Sequence, residues 1–241
     1  GYSVAKAFVM TAIGLLFDDG LLSPSDRLDR FLRVPESADE RWHEVTLEHL
    51  LTHRCGLDKP FLDIDCDDLR DCGDYLSLAW EQPLPHRPST HEQYSDAVFY
   101  LLSRVVGAVS GQTTDALLQA RLFTPLRFGE TAWSRCPQGH PIGGSGFYAR
   151  ADDVVKLGRL YLHEGEYDGR RLLSAQWVRM ALARGYELHP FGAADWIGKG
   201  GMYGQGVAFC RRLDAAAAWH AFETDGREGA VLDALDRALS T

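Results

Sequence analysis

Ser3 and Lys6 stand three residues apart at the start of an apolar segment, a spacing that sets two side chains on one helix face a turn apart. A serine hydroxyl is a weak nucleophile at neutral pH. A lysine desolvated in an apolar site can lose its proton and accept the serine's, while a helix N-terminus favours negative charge developing there. The pair therefore has the parts of an acyl-transfer nucleophile and its base. The same residues also read as a capping serine followed by an ordinary lysine, and S-x-x-K arises by chance about once in a chain of this length.

Two further groups could complete such a site. Tyr94-Ser95-Asp96 closes a proline-rich loop just before an apolar helix, where a phenol and a carboxylate can face a cleft and a tyrosine can relay protons. Its plainer reading is a helix cap from Ser95 or Asp96 with Tyr94 packing. Lys199-Gly200-Gly201 opens a β-like run in which glycines let backbone and ligand approach closely, and a lysine there can meet a carboxylate-bearing substrate. The alternative is a glycine turn with a surface lysine. Gly192 and Gly198 have five residues between them where a P-loop has four, Gly200 replaces the Ser/Thr and no helix follows, so a phosphate-binding P-loop is rejected. His49 and His53 lie four apart on a helix without the glutamate of H-E-x-x-H, so no metal site is expected.

Positioning these residues requires elements drawn from the whole chain. Residues 4–17 are apolar nearly all round and predict a buried central helix stopped at Gly20. VTLEHLLTHRCGL predicts a short helix capped by Thr46 and closed by Gly56, and the stretch from Asp65 to Tyr75 is acidic and expected at the surface. Further helices are predicted over AVFYLLSRVVGAVSG, TDALLQARLFTPL, DDVVKLGRLYLHEG and SAQWVRMALARG, the last with Ser174 as cap. Beyond residue 190 come three β-like runs, with a hairpin turn near Leu213 and Asp214, and a terminal helix over REGAVLDALDRALS. The pattern is α+β: an antiparallel sheet flanked by helices, plus a mainly helical subdomain. Residues 1–22 with 145–241 are expected to form the first subdomain and 23–144 the second, with the site at their junction.

Composition narrows the function. The 241 residues suffice for a sizeable core, and no apolar run approaches the roughly 18 residues of a membrane span. A net charge of −9, without a basic stripe, makes nucleic acid an unsuitable partner. Five cysteines, an odd number with no CxxC pair, are expected to be reduced. The first thirty residues lack a signal-peptide pattern, which fits a cytoplasmic protein for the sequence as given and an extracytoplasmic one if a further segment precedes it.

Taken together, S-x-x-K, then Y-S-D, then K-G-G resembles the serine β-lactamase, DD-peptidase and esterase superfamily in its class C-like and penicillin-binding-protein branch. LLTHRCGL is similar to the LLTHTSGL stretch of that branch, and GGSGFYARADDVVKLGRLYLHEGEYDGRRLLSAQWV to the segment before its third motif, so the resemblance covers nearly the whole chain. It implies a β-lactamase/transpeptidase-like fold and no cofactor. It implies that Ser3 is acylated, Lys6 assists as base, Tyr94 shuttles the proton and Lys199 fixes charge beside Tyr94. The backbone N–H groups of Ser3 and Met202 are the implied oxyanion donors, Asp96, Gly200 and Gly201 fall at substrate-binding positions, and His53 is structural.

Two departures shape the expectations. Asp96 stands where asparagine is usual and Gly200 where threonine is, which favours an ester or peptide-like acyl substrate over a β-lactam. Relatives also carry strands ahead of the S-x-x-K helix, whereas this sequence opens on that helix. The sheet is therefore expected to be incomplete, about three strands with an exposed edge that invites a homo-oligomer. Against the hydrolase stands a second class of function, an inert relative serving as a binding or interaction module.

Overall fold

The computed structural model describes residues 1–62, 72–192, 195–222 and 228–240. Its helices are α1 (Ala5–Asp18), α2 (Leu47–Leu51), α3 (Tyr75–Trp80), α4 (Asp96–Ser110), α5 (Thr114–Leu118), α6 (Ala151–Leu162), α7 (Ala175–Arg184) and α8 (Glu228–Leu239). Two small hairpins, β1 (Ala132–Trp133) with β2 (Phe147–Tyr148) and β3 (Glu166–Tyr167) with β4 (Arg170–Arg171), accompany the main sheet. That sheet is antiparallel, in the order β5 (His189–Pro190), β6 (Trp196–Gly201), β7 (Gln205–Cys210) and β8 (Ala215–Trp219).

α1 is the axis of the molecule because its sequence leaves no polar face. Every residue from Ala5 to Leu16 is buried, Lys6 and Thr11 included. Thr11 satisfies its hydroxyl by donating to the Ala7 carbonyl at 2.7 Å and meeting the Tyr161 hydroxyl at 3.0 Å. Gly14 stands where Trp177 of α7 crosses the helix: a Cβ there would lie 2.3 Å from the indole Nε1. Gly14→Ala should therefore overpack this crossing and lower unfolding free energy by about 1–3 kcal/mol in a denaturant titration, despite alanine's better helix propensity.

α4 packs across α1, and α6 lies on β7 and β8. On the opposite sheet face a small second core forms from Trp196, Ala208, Cys210 and Leu232 of α8. Trp196 pairs with Cys210 and Gly201 with Gln205 across β6–β7, and Cys210 pairs with Ala215 across β7–β8. The second hairpin turns at Asp214, whose φ is 47°. Among the described residues the outer edge of β8 has no partner strand.

The sequence expectations differ from this architecture in several places. The sheet has a fourth strand, β5, too short and too near Pro190 to give a strand signal. The short helix ends at Leu51 rather than at Gly56, because the chain turns at His53, whose φ is 56°. Residues 119–123 continue α5 as a π-helical turn. Residues 65–71 of the acidic stretch lie outside the described residues, while Tyr75 at its end is buried. Cys55, Cys72, Cys136 and Cys210 are free thiols, and Cys66 is outside the described residues. Among the described residues no helix is long and apolar enough to cross a membrane.

Candidate active site

Ser3 lies in a 3-10 turn, Tyr2–Val4, that leads straight into α1, so the axial helix aims both motif residues at one point. Lys6 Nζ reaches Ser3 Oγ at 3.1 Å. The same nitrogen donates to the Gly144 carbonyl at 2.8 Å and to Asp96 Oδ1 in a short, buried ion pair. A lysine ammonium has three hydrogens, and three oxygens surround this one.

Tyr94 and Asp96 arrive together because Ser95 anchors them. Its hydroxyl accepts from the Ala97 amide to cap α4, and it also exchanges hydrogen bonds with the backbone of Phe61. The loop ahead of it is laid along the LTHRCGL stretch by three backbone bonds: Gln93 N–H to the His53 carbonyl (2.8 Å), Ser89 to Arg54 (2.7 Å) and His86 to Gly56 (3.2 Å). Tyr94 thereby packs against the His53 ring at a tilt of 31°, centroids 4.4 Å apart, and lies between two lysine nitrogens. Lys6 Nζ is 4.6 Å and Lys199 Nζ 4.9 Å from its ring centroid, and Lys199 donates to its hydroxyl at 3.3 Å.

Lys199 is delivered by β6, and behind it sits a residue with no role in the sequence reading. Glu187 is 1% exposed; its Oε2 lies 2.5 Å from Lys199 Nζ in a charge contact and its Oε1 takes a 2.6 Å hydrogen bond from His53 Nε2. His53 Nδ1 accepts from the Ser95 amide at 3.3 Å, which fixes the imidazole as the Nε2–H tautomer. His53 and Glu187 both adopt left-handed backbone, φ 56° and 59°, a conformation that non-glycine residues keep only where surrounding contacts over-determine it.

Burial alone would raise the Glu187 carboxyl and lower the Lys199 ammonium. Their ion pair outweighs both effects, so Glu187 titrates well below the ordinary glutamate range and Lys199 above the ordinary lysine range. A depressed carboxyl contributes stability that is fully present above its unfolded pKa of about 4.3 and is lost as pH falls through the folded value. Glu187→Gln should therefore lower the melting temperature most at neutral pH. The gap to wild type should close progressively below about pH 4 in a pH series of thermal melts.

The end of β6 also meets the nucleophile. A Cβ at Gly201 would stand 3.3 Å from the Ser3 amide nitrogen and 3.0 Å from the Gly1 carbonyl, so glycine is what lets the strand come this close. Met202 follows at the turn, 40% exposed. Ser3, Lys6, Tyr94, Asp96 and Lys199 are thus joined by direct contacts, with Gly201 against the Ser3 backbone. Gly200 lies on the strand between Lys199 and Gly201 but faces the Phe191 ring, 3.1 Å from the place of a Cβ. The Asp96 carboxylate is turned to Lys6. His49 closes the α2 cap with Thr46, and His53 backs Tyr94. Beside Ser3 opens a cleft of about 310 Å³ lined by Tyr2, Leu62, Ile142 and Tyr148 and by Ser134 and Ser145.

A family model described as Beta-lactamase matches residues 1–239. Penicillin-binding protein 4 of Amycolatopsis lactamdurans is 29% identical over 227 residues, 80% of this chain and 59% of that protein. The 6-aminohexanoate-dimer hydrolase of Paenarthrobacter ureafaciens is 24% identical over 76% of this chain and 50% of its own length. The chain therefore spans only part of these relatives. Among solved structures, the octameric penicillin-binding protein homologue from Pyrococcus abyssi superposes on 100% of this chain and 65% of its own, with a TM-score of 0.79 at 17% identity.

Proposed function

This chain belongs to the β-lactamase family, and from that premise we propose that it is a serine hydrolase that cleaves an ester or amide through an acyl-Ser3 intermediate. The observation that carries the reading is the 3.1 Å contact between Ser3 Oγ and Lys6 Nζ, facing a phenol that Lys199 holds from the other side.

In the proposed reaction Ser3 Oγ bonds to the acyl carbon and its proton passes to a neutral Lys6 amine, which Asp96 and Gly144 then stabilise as an ammonium. The N–H groups of Ser3 and Met202 hold the oxyanion. The alcohol or amine leaves with a proton delivered through Tyr94, which is replenished from Lys6. Water then attacks the acyl carbon, the acid departs, and Ser3 recovers its proton. Incubation with a fluorophosphonate followed by peptide mapping tests this: one adduct on Ser3 is expected, and an unmodified Ser3 removes the enzyme reading.

Esters and simple amides are the proposed substrates ahead of β-lactams. An ionised carboxylate at position 96 can only accept hydrogen bonds, where an asparagine amide could also donate, and Gly200 supplies no hydroxyl. A chromogenic short-chain ester should therefore be turned over faster than a chromogenic cephalosporin, and the reverse order would exclude this preference. One observation favours the second reading, an inert binding module. The three oxygens around Lys6 Nζ would suit a permanently charged ammonium, which cannot act as a base. The same labelling experiment separates the two. Self-association through the free β8 edge is a further proposal, tested by light scattering.

A further inference from the structure

The charges around Ser3 cancel in pairs, and the pairing says what kind of acyl compound fits. Two cations touch the Ser3–Tyr94 cluster, Lys6 and Lys199, and each is closed off by its own carboxylate, Asp96 and Glu187 respectively. All four groups are buried, with exposures of 0% for Lys6, 8% for Lys199, 7% for Asp96 and 1% for Glu187. With both lysines charged the two pairs sum to zero, and when Lys6 gives up its proton to act as base the cluster turns net negative, so neither state holds a spare cation, and buried pairs are little screened by salt.

An incoming carboxylate needs an unspent cation or a set of free N–H and O–H donors. Lys6 already has three acceptors. Lys199 is held between Glu187 and the Tyr94 hydroxyl, so an anion approaching it also approaches a buried carboxylate. The neighbouring position offers no hydroxyl: it is Gly200, and the Phe191 ring occupies the space where a side chain there would begin, 3.1 Å from that Cβ. Tyr2, Leu62, Ile142 and Tyr148 give the adjoining cleft its apolar wall, and its polar lining includes the hydroxyls of Ser134 and Ser145 but no charged side chain, which suits an uncharged acyl group.

Resting on the reading of Ser3 as the nucleophile, we propose that the site selects neutral acyl substrates and discriminates against those with a carboxylate beside the scissile group. Uncharged esters and internal amides belong to the accepted class. Peptides cut at their last residue, where the terminal carboxylate lies next to the scissile bond, belong to the rejected one.

The test uses a matched pair, 4-nitrophenyl butyrate and the mono-4-nitrophenyl ester of succinic acid, each corrected for spontaneous hydrolysis. Wild-type kcat/KM should favour the neutral ester by at least about tenfold. Glu187→Gln and Asp96→Asn each leave one lysine charge uncompensated by a different route, so either variant should shift the ratio toward the succinate by about tenfold. The second variant keeps the test alive if the first does not fold. Wild-type preference for the succinate overturns the proposal, as does a ratio unchanged in both variants. If neither ester is turned over and Ser3 takes no fluorophosphonate, the hydrolase reading itself has failed and the selectivity falls with it.

Discussion

Ser3→Ala should abolish covalent labelling and lower kcat on a chromogenic ester by about 10⁴-fold or more, with the melting temperature within about a degree of wild type. The kinetic effect is large because the nucleophile acts as one unit with its base, so losing either removes the covalent route altogether. The thermal effect is small because Ser3 is only half-buried, and among the described residues the side-chain hydrogen bond the substitution deletes is that with Lys6. Lys6 keeps Asp96 and Gly144 as partners. A variant that loses activity and stability together would place Ser3 in the scaffold instead of the chemistry.

Lys6→Met should behave differently. It removes the base, so activity should fall to the level of Ser3→Ala, and it also strips the counter-ion from a carboxylate that is only 7% exposed. Breaking a buried pair from one side commonly costs about 3–5 kcal/mol, because the remaining charge is left uncompensated in a poorly solvated place. The double variant Lys6→Met/Asp96→Asn tests that cause. It carries no orphan charge and should regain most of the lost unfolding free energy in a urea titration while staying inactive. If the double variant is no more stable than the single one, the penalty comes from lost packing of the lysine stem and not from the orphaned carboxylate.

How far the sequence could be read depended on the range of each signal. The Ser3–Lys6 pair was legible because a helix turns an i, i+3 spacing into adjacency, and the helix was announced by its apolar surround. Tyr94 and Lys199 are 105 positions apart, and only the joint order of three motifs suggested that they meet; their 3.3 Å contact rests on a backbone path no local pattern encodes. Glu187 gave no signal at all. A lone glutamate after Tyr186 reads as a solvated turn residue, and its burial follows from two partners, His53 and Lys199, that come from distant segments. Asp96 was visible as a residue but not in its direction, since a helix-start aspartate could as well face substrate as Lys6. The β3–β4 hairpin was missed although Asp168-Gly169 carries the usual two-residue turn signature, with φ values of 48° and 73°.

The union of α1 with β6 has a consequence in time. Lys6 and Lys199 flank the same phenol, yet 193 positions separate them. At the roughly 5–20 residues per second of ribosomal synthesis, the first must wait about 10–40 s for the second. Through that interval α1, apolar and buried from Ala5 to Leu16, has neither the strand that abuts the 3-10 turn leading into it nor the Trp177 that crosses its middle. Such a topology rewards its long-range contacts late, so refolding should be slow for a protein of this size. The nascent chain should depend on a chaperone to shield α1 until β6 emerges.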